Sequence, residues 1–307
     1  MDILIAIMLE VILPVFILIG MGAFLHRIFT FDLITLSKIT SYYLLPVVVF
    51  VNLYESKIEQ SIFFEILTFQ LVFSVVLMIV SYILTKILKL DKGMSANFKN
   101  SVVLINSGNF GLPVSQLIFS TNPLGVTIQI IVMMIQTFIT HTYGLLNTVR
   151  AKHKSTQVIG ELFKTPILYA LFLGVVFQIY QIPVPSFIWI PLESVSLSFL
   201  PIALLTLGAQ VGFINLRKID FTIIISSVSR LLVAPAIALI LIFIFGLDGV
   251  TAQSLLIASA FPTSRNSAQM ALEYDVYPEF AGHAVLFSTF MSGVTVTAII
   301  FLAKVMF

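Results

Sequence analysis

The sequence has 307 residues, of which 59% are hydrophobic and 10% charged, with a formal net charge of +2 and a mean hydropathy of +1.10. Because soluble domains carry about 25% charged residues, this chain cannot cover a folded surface with polar side chains. The composition therefore excludes a soluble enzyme, a nucleic-acid-binding protein and a disordered chain, and it predicts an all-α polytopic membrane protein embedded in a lipid bilayer.

Ten apolar segments follow one another along the chain. A segment of about 20 mostly apolar residues is long enough to cross the hydrocarbon core of a bilayer. The predicted spans are residues 3–25, 33–54, 62–85, 96–118, 124–148, 165–181, 187–211, 221–245, 251–272 and 281–306. The first has neither a basic region before it nor a small-residue cleavage site, so we predict a retained span and not a signal peptide.

The basic residues between the spans predict the orientation. With the N-terminus outside, eleven of the 16 basic residues lie in cytoplasmic loops: Arg27, Lys86, Lys89, Lys92, Lys99, Arg150, Lys152, Lys154, Lys164, Arg217 and Lys218. Only Lys57 and Lys304 lie on the opposite side. Short basic loops stay in the cytoplasm, so we expect a multi-pass protein of the plasma membrane with both termini outside.

The positions of prolines suggest a duplicated unit. Residues 1–149 and 165–307 each hold five spans, and a basic linker, residues 150–164, separates them. Pro46 and Pro201 lie in the second span of each half, and Pro113 and Pro262 follow in the fourth, 67 and 61 residues later. An odd number of spans per unit places the halves in opposite orientations, which predicts two inverted five-helix repeats.

The fourth span contains residues that do not favour a continuous helix. Residues 106–113 read Asn-Ser-Gly-Asn-Phe-Gly-Leu-Pro. Proline removes an amide donor and glycine tolerates unusual dihedrals. We expect a discontinuous helix whose ends supply partial charges to a substrate, with Asn106, Ser107, Asn109 and Pro113 at the site. The alternative is a kink that its own asparagines satisfy.

The ninth span has the same character and also an intramembrane arginine. Its central residues are Pro262, Thr263, Ser264, Arg265 and Asn266. An arginine at the centre of a membrane helix costs about 2.5–3.5 kcal/mol, so it should face a cavity or a partner. Three roles are open for Arg265: binding of an anionic substrate, neutralisation of the carbonyl ends of the broken helices, or extension to the cytoplasmic interface.

Other intramembrane polar groups are weaker signals. Asn52 in the second span and Gln136 in the fifth either line the same cavity or form interhelical hydrogen bonds. Arg230 in the eighth span could form a structural pair with Glu193 or Glu10.

The sequence contains no pattern that indicates catalysis. It has no G-x-x-x-x-G-K-[ST] phosphate loop, no His-Glu-x-x-His and no cysteine, so we expect neither an enzyme nor a bound cofactor or metal. Spans three, four, nine and ten lack central carboxylates, which counts against ion coupling but leaves H⁺ or Na⁺ as an open question.

Four motifs, in this order and spacing, resemble those of the auxin efflux carrier family in its short bacterial form. They are Leu44-Leu45-Pro46, the stretch 106–113, Leu200-Pro201 through Leu207-Gly208-Ala209, and Phe261-Pro262-Thr263 followed by Ala281 through Ser288-Thr289 and Ser292. The resemblance covers nearly the whole chain. The long cytoplasmic loop of the plant members is replaced here by the short basic linker.

The resemblance implies that broken helices four and nine cross, as in cation–proton antiporters and bile-acid symporters. It also implies that helices one, two, six and seven form a scaffold, often in a homodimer. The family's site residues map onto Pro113 and Pro262, onto Asn106 and Asn109, and onto Asn52 and Gln136. Arg265 departs from the plant carriers, which favours small charged carboxylates such as those that malate permeases transport.

The sequence therefore predicts a secondary transporter of a small organic anion, a malate-like carboxylate or an auxin-like acid, that works by elevator-type alternating access. Two alternatives stay open: a substrate-binding sensor without turnover, and a sodium- or proton-coupled symporter of another organic anion.

Overall fold

The computed structural model describes residues 9, 13–55, 60–151, 166–211 and 219–307. In these parts of the chain every long element is a helix and no strand occurs, which confirms the predicted all-α class. The helices are α1 (Leu13–Phe29), α2 (Leu33–Glu55), α3 (Gln60–Ile87), α4 (Lys92–Val103), α5 (Leu112–Ile118), α6 (Pro123–Ala151), α7 (Pro166–Ile179), α8 (Ser186–Val211), α9 (Phe221–Phe245), α10 (Gly249–Ser259), α11 (Arg265–Glu273) and α12 (Pro278–Met306).

Six helices among the described residues are long and apolar enough to cross a membrane: α2, α3, α6, α8, α9 and α12. Three shorter apolar helices, α1, α7 and α10, accompany them. Large apolar side chains stay exposed on the outside, for example Phe187 at 76% and Leu197 at 75%. An apolar exterior of this kind suits a multi-pass membrane protein. Most of the basic linker, and most of residues 1–12, lie outside the described residues.

The helices associate in two groups, and each group contains helices from both halves of the sequence. In the first group α1 and α2 pack against α7 and α8. In the second group α3, α4, α6, α9, α10 and α12 pack against one another. Contacts between the groups are less extensive and run mainly from α8 to the segment around α5.

Two glycines bring α1 and α8 into close contact within the first group. An added Cβ at Gly22 would lie 2.0 Å from the carbonyl oxygen of Leu205, and one at Gly208 would lie 1.9 Å from that of Ile19. Both neighbours are backbone atoms, so no side chain can move aside. Small residues at such positions let the backbones of membrane helices approach closely.

Both segments that the sequence predicts to be discontinuous are interrupted. The first is broken between α4 and α5: Leu104 is extended, and a π-helical turn covers Ser107–Gly111. The second is broken between α10 and α11, where residues 260–264 are not helical. Pro113 lies in the first turn of α5, where its missing N–H costs nothing. Pro262 lies inside the second interruption.

The two interruptions hydrogen-bond to each other deep in the protein. Ile105 and Thr263 form an isolated antiparallel bridge. The amide of Asn106 donates to the carbonyl of Pro262, and the amide of Ser264 donates to the carbonyl of Leu104, each at 2.8 Å. Backbone groups that leave a helix at membrane depth need partners inside the protein. Each interruption supplies them for the other.

Candidate functional site

A cavity of about 710 Å³ lies between the two groups of helices. The first group contributes residues from α2, α7 and α8, and the second contributes both interruptions together with α6, α11 and α12. Its polar lining comprises Ser37, Lys38, Ser41, Asn106, Ser107, Asn109, Gln136, Thr137, Thr140, His141, Gln210, Ser264, Arg265, Asn266, Gln269 and Glu273. A cavity lined by unwound backbone and amide side chains can bind a small polar ligand.

Three amide side chains in this lining have groups that the protein leaves without partners. Asn106 Nδ2, Asn109 Oδ1 and Gln136 Oε1 are buried atoms with no hydrogen-bond partner in the described structure. Asn106 is only 4% exposed and Gln136 only 2%. Each of these atoms exposes less than 1 Å², so a ligand in the cavity would reach it only after the side chain rotates. Pairing would then recover the cost of an unsatisfied buried polar group, about 1–3 kcal/mol.

Arg265 supplies a positive charge to the lining next to the second interruption. It begins α11 directly after Ser264, whose Oγ caps the helix by accepting from the amide of Asn266 at 3.2 Å. Its side chain is half-buried, and Nη1 donates a hydrogen bond to Ser37 Oγ. Ser37 Oγ also accepts from Gln210 Nε2 at 3.1 Å. Since Ser37 and Gln210 belong to the first group of helices, this contact joins the two groups across the cavity.

Other charged residues of the lining lie at its margin. Lys38 and Glu273 are both exposed. Glu273 ends α11, eight residues after Arg265, which places the two backbone positions about 12 Å apart along the helix. Arg265 is therefore the cation that a ligand beside the interruptions would contact.

The contact between Ser37 and Arg265 carries a prediction about affinity. Ser37→Ala removes a partner that competes with an anion for Arg265, so we expect the affinity for an anionic ligand to rise by about two- to tenfold, the equivalent of one hydrogen bond. The measurement is isothermal titration of the detergent-purified variant. Ser41→Ala, on the same helix and cavity wall, is the matched control and should change the affinity less. A lower affinity for Ser37→Ala would contradict the prediction.

Four residues assigned to the site from the sequence are not part of the cavity lining. Asn52 donates through Nδ2 to the carbonyl of Val48 at 2.8 Å, within its own helix. Thr263 is 1% exposed, its Oγ1 donates to the carbonyl of Ser101 at 2.7 Å and its amide donates to Ser288 Oγ. Pro113 and Pro262 also lie outside the lining. Pro113, Pro262 and Thr263 belong to the interrupted segments, whereas Asn52 lies within α2. Direct contact of any of the four with substrate stays a prediction.

Arg230 has partners other than the acidic residues that the sequence suggests. It is fully buried and donates to the carbonyls of Val102 and Ser259, not to Glu193. The pairing predicted with Glu193 is wrong because α4 and α10 offer carbonyl groups at their ends, while Glu10 lies outside the described residues. Arg230 thus makes hydrogen bonds to carbonyls at the ends of two broken helices, the kind of contact that one open role of Arg265 requires.

Several lining residues carry no signal in the sequence that marks them as part of a site. Ser37, Lys38 and Gln210 lie close to predicted span boundaries, where polar residues are ordinary, and Thr140 lies in a π-helical turn within α6. π-Helical turns are frequent at functional sites but have no simple sequence signature.

Comparison with known proteins finds similarity to membrane transporters. A family model described as "Membrane transport protein" matches residues 7–300. A protein of Methanothermobacter thermautotrophicus described as "Uncharacterized transporter" is 22% identical over 293 residues, which cover 92% of this chain and 94% of that protein.

Proposed function

This chain belongs to the membrane transport protein family, the auxin efflux carrier family, and from that premise we propose that it is a secondary transporter of a small organic anion. The observation that carries the proposal is the cavity between the two groups of helices, whose lining includes Arg265 and the amide side chains of Asn106, Asn109 and Gln136. A carboxylate would accept hydrogen bonds from Arg265 and, after rotation of the Asn106 side chain toward the cavity, from Asn106 Nδ2.

The unpaired amides favour a malate-like ligand over an auxin-like one. Asn109 and Gln136 each leave an acceptor oxygen unpaired, and Asn106 leaves a donor. A small hydroxy acid offers carboxylate acceptors for Asn106 Nδ2 and one hydroxyl donor for either Asn109 Oδ1 or Gln136 Oε1, so it could pair with two of the three side chains. An indole or other large apolar acid would place a ring against them instead.

The two groups of helices support an elevator mechanism. The group of α1, α2, α7 and α8 would be the scaffold, and a homodimer would hold it in place. The other group would carry the ligand, since it contains both interruptions and most of the polar lining. In this reading α4 with α5, and α10 with α11, are the crossing broken helices of two inverted repeats, residues 1–149 and 165–307.

Charge distribution supports a cytoplasmic opening of the cavity. Its margin is built from residues 33–38, 166–167 and 272–282, all at span ends that the basic loops place in the cytoplasm. The structure would then represent the inward-facing state of a plasma-membrane carrier whose termini lie outside.

Ligand-dependent stabilisation tests the proposal. A ligand that binds only the folded state raises the melting temperature with concentration. We expect a small hydroxydicarboxylate to stabilise the detergent-purified protein more than an aromatic monocarboxylate of equal concentration, and to enter proteoliposomes that contain the protein faster than empty liposomes.

Two results would contradict the proposal. If no carboxylate raises the melting temperature of the folded protein, the assignment of an organic anion is wrong. If a carboxylate binds but reconstituted protein gives no flux in either direction, the protein is a binding protein or sensor and not a carrier.

A further inference from the structure

Arg230 is a fully buried cation outside the cavity. It lies in the π-helical turn Ser229–Val233 of α9 and is the largest side chain of the described residues with less than 2% exposure. Its Nη1 donates to the carbonyl of Val102 at 2.8 Å, and its Nη2 donates to the carbonyl of Ser259. Among the described residues, no carboxylate forms an ion pair with it.

The two carbonyls belong to equivalent places in the fold. Val102 lies in the last turn of α4, and Ser259 is the last residue of α10, so each comes directly before an interruption. The last carbonyls of a helix have no partner within that helix and carry partial negative charge. Two such ends converge on one guanidinium, which supplies positive charge and N–H donors to both.

In secondary transporters, unwound backbone carbonyls and the C-terminal ends of half-helices are the groups that coordinate a coupling ion. Sodium is a hard cation that takes oxygen ligands, and backbone carbonyls are among them. Here the arginine already uses both carbonyls. Because the guanidinium is covalently attached and remains charged at every physiological pH, it cannot leave during a transport cycle.

We propose that Arg230 is a resident cation that replaces a coupling cation at the paired ends of α4 and α10, so that the carrier moves its substrate without coupled sodium. This inference rests on the proposed transport function. Arg265 does not share the role, because it begins α11 on the other side of the second interruption and faces the cavity. Arg230 is thus a positioning residue, whereas Arg265 faces the ligand.

The test removes the charge while keeping a side chain that can hydrogen-bond. In Arg230→Gln the two helix ends lose their cation, and we expect the melting temperature to fall by several degrees and to recover as sodium chloride replaces choline chloride at constant ionic strength. Wild type should melt at the same temperature in both salts. Arg230→Lys keeps the charge and should also be insensitive to the exchange.

A second variant separates a specific effect from a general effect of lost charge. Arg265→Gln removes a positive charge at the cavity but leaves the carbonyls of Val102 and Ser259 occupied, so its melting temperature should not respond to sodium. Uptake of the stabilising carboxylate into proteoliposomes completes the experiment. Wild type should transport equally in sodium and choline media, and any variant of Arg230 that gains stability from sodium should transport faster in sodium.

Melting or flux that depends on sodium in wild type or in Arg230→Lys would overturn the proposal. An Arg230→Gln variant that melts at the wild-type temperature, or whose melting temperature does not respond to sodium, would also overturn it. If Arg230→Gln does not fold, wild type and Arg230→Lys still test the proposal: melting and flux without sodium dependence support it, and sodium dependence in either protein overturns it. The melting experiments need no substrate, so they test the role of Arg230 independently of the proposed function. If the melting temperatures behave as expected but no carboxylate is transported, only the proposed transport function is refuted.

Discussion

Arg265→Gln should weaken binding of the transported carboxylate by about 10- to 100-fold, because a hydrogen bond to a charged group contributes about 1.5–3 kcal/mol. Arg265 is half-buried, and its observed side-chain partner is the neutral Ser37 Oγ, so its charge is available to an anion. Arg265→Lys should lose less affinity, since it keeps the charge but not the planar fork that matches a carboxylate. The measurement is isothermal titration of each purified variant.

Lys38→Gln is the matched control for loss of a positive charge. Lys38 lies at the margin of the same cavity and is exposed, so solvent screens it. Its removal should change the affinity by about fivefold at most, as for other exposed charges. Unchanged affinity in Arg265→Gln, or a larger loss in Lys38→Gln, would show that the ligand does not contact Arg265.

Gly22→Ala should destabilise the protein strongly, whereas Gly20→Ala, two residues earlier in the same helix, should not. The Cβ at position 22 would lie 2.0 Å from the carbonyl oxygen of Leu205, and α1 or α8 would have to move. Overpacking of this kind costs about 1–3 kcal/mol, occasionally more. At Gly20 an added Cβ has no atom within 4 Å.

The measurement is thermal unfolding of both variants in the same detergent. Gly20→Ala should melt at or above the wild-type temperature, because alanine favours a helix over glycine by about 1 kcal/mol. Gly208→Ala should repeat the loss seen for Gly22→Ala, since its Cβ would meet the carbonyl oxygen of Ile19. Equal melting temperatures for Gly20→Ala and Gly22→Ala would mean that α1 and α8 are farther apart than described.

The interruptions were predictable because their cause is local. Gly111, Pro113 and Pro262 restrict or free the backbone wherever they occur, and a run of polar residues at membrane depth requires partners. For Gln136 the sequence left a cavity or an interhelical hydrogen bond open and the resemblance implied a place at the site; it lines the same cavity as Asn106. Composition alone was sufficient for the all-α membrane class.

The remaining features depend on contacts between residues that are distant in sequence. Ser37 bonds to Arg265 across 228 positions, and Arg230 bonds to Val102 across 128. A single sequence shows that a buried arginine needs partners but not which carbonyls meet it. Pairing of Arg230 with Glu193 was one possibility from the sequence. The described structure shows carbonyl partners instead, because helix ends can supply the same negative potential.

The mutual hydrogen bonds of the two interruptions also constrain how the protein is made. Asn106 N and Leu104 O find their partners at Pro262 and Ser264, which leave the ribosome only after most of the second half has been synthesised. Until then, those groups of the nascent first half have no partner from the second. Membrane insertion can thus begin helix by helix, but the first half completes its structure only when residues 260–264 arrive.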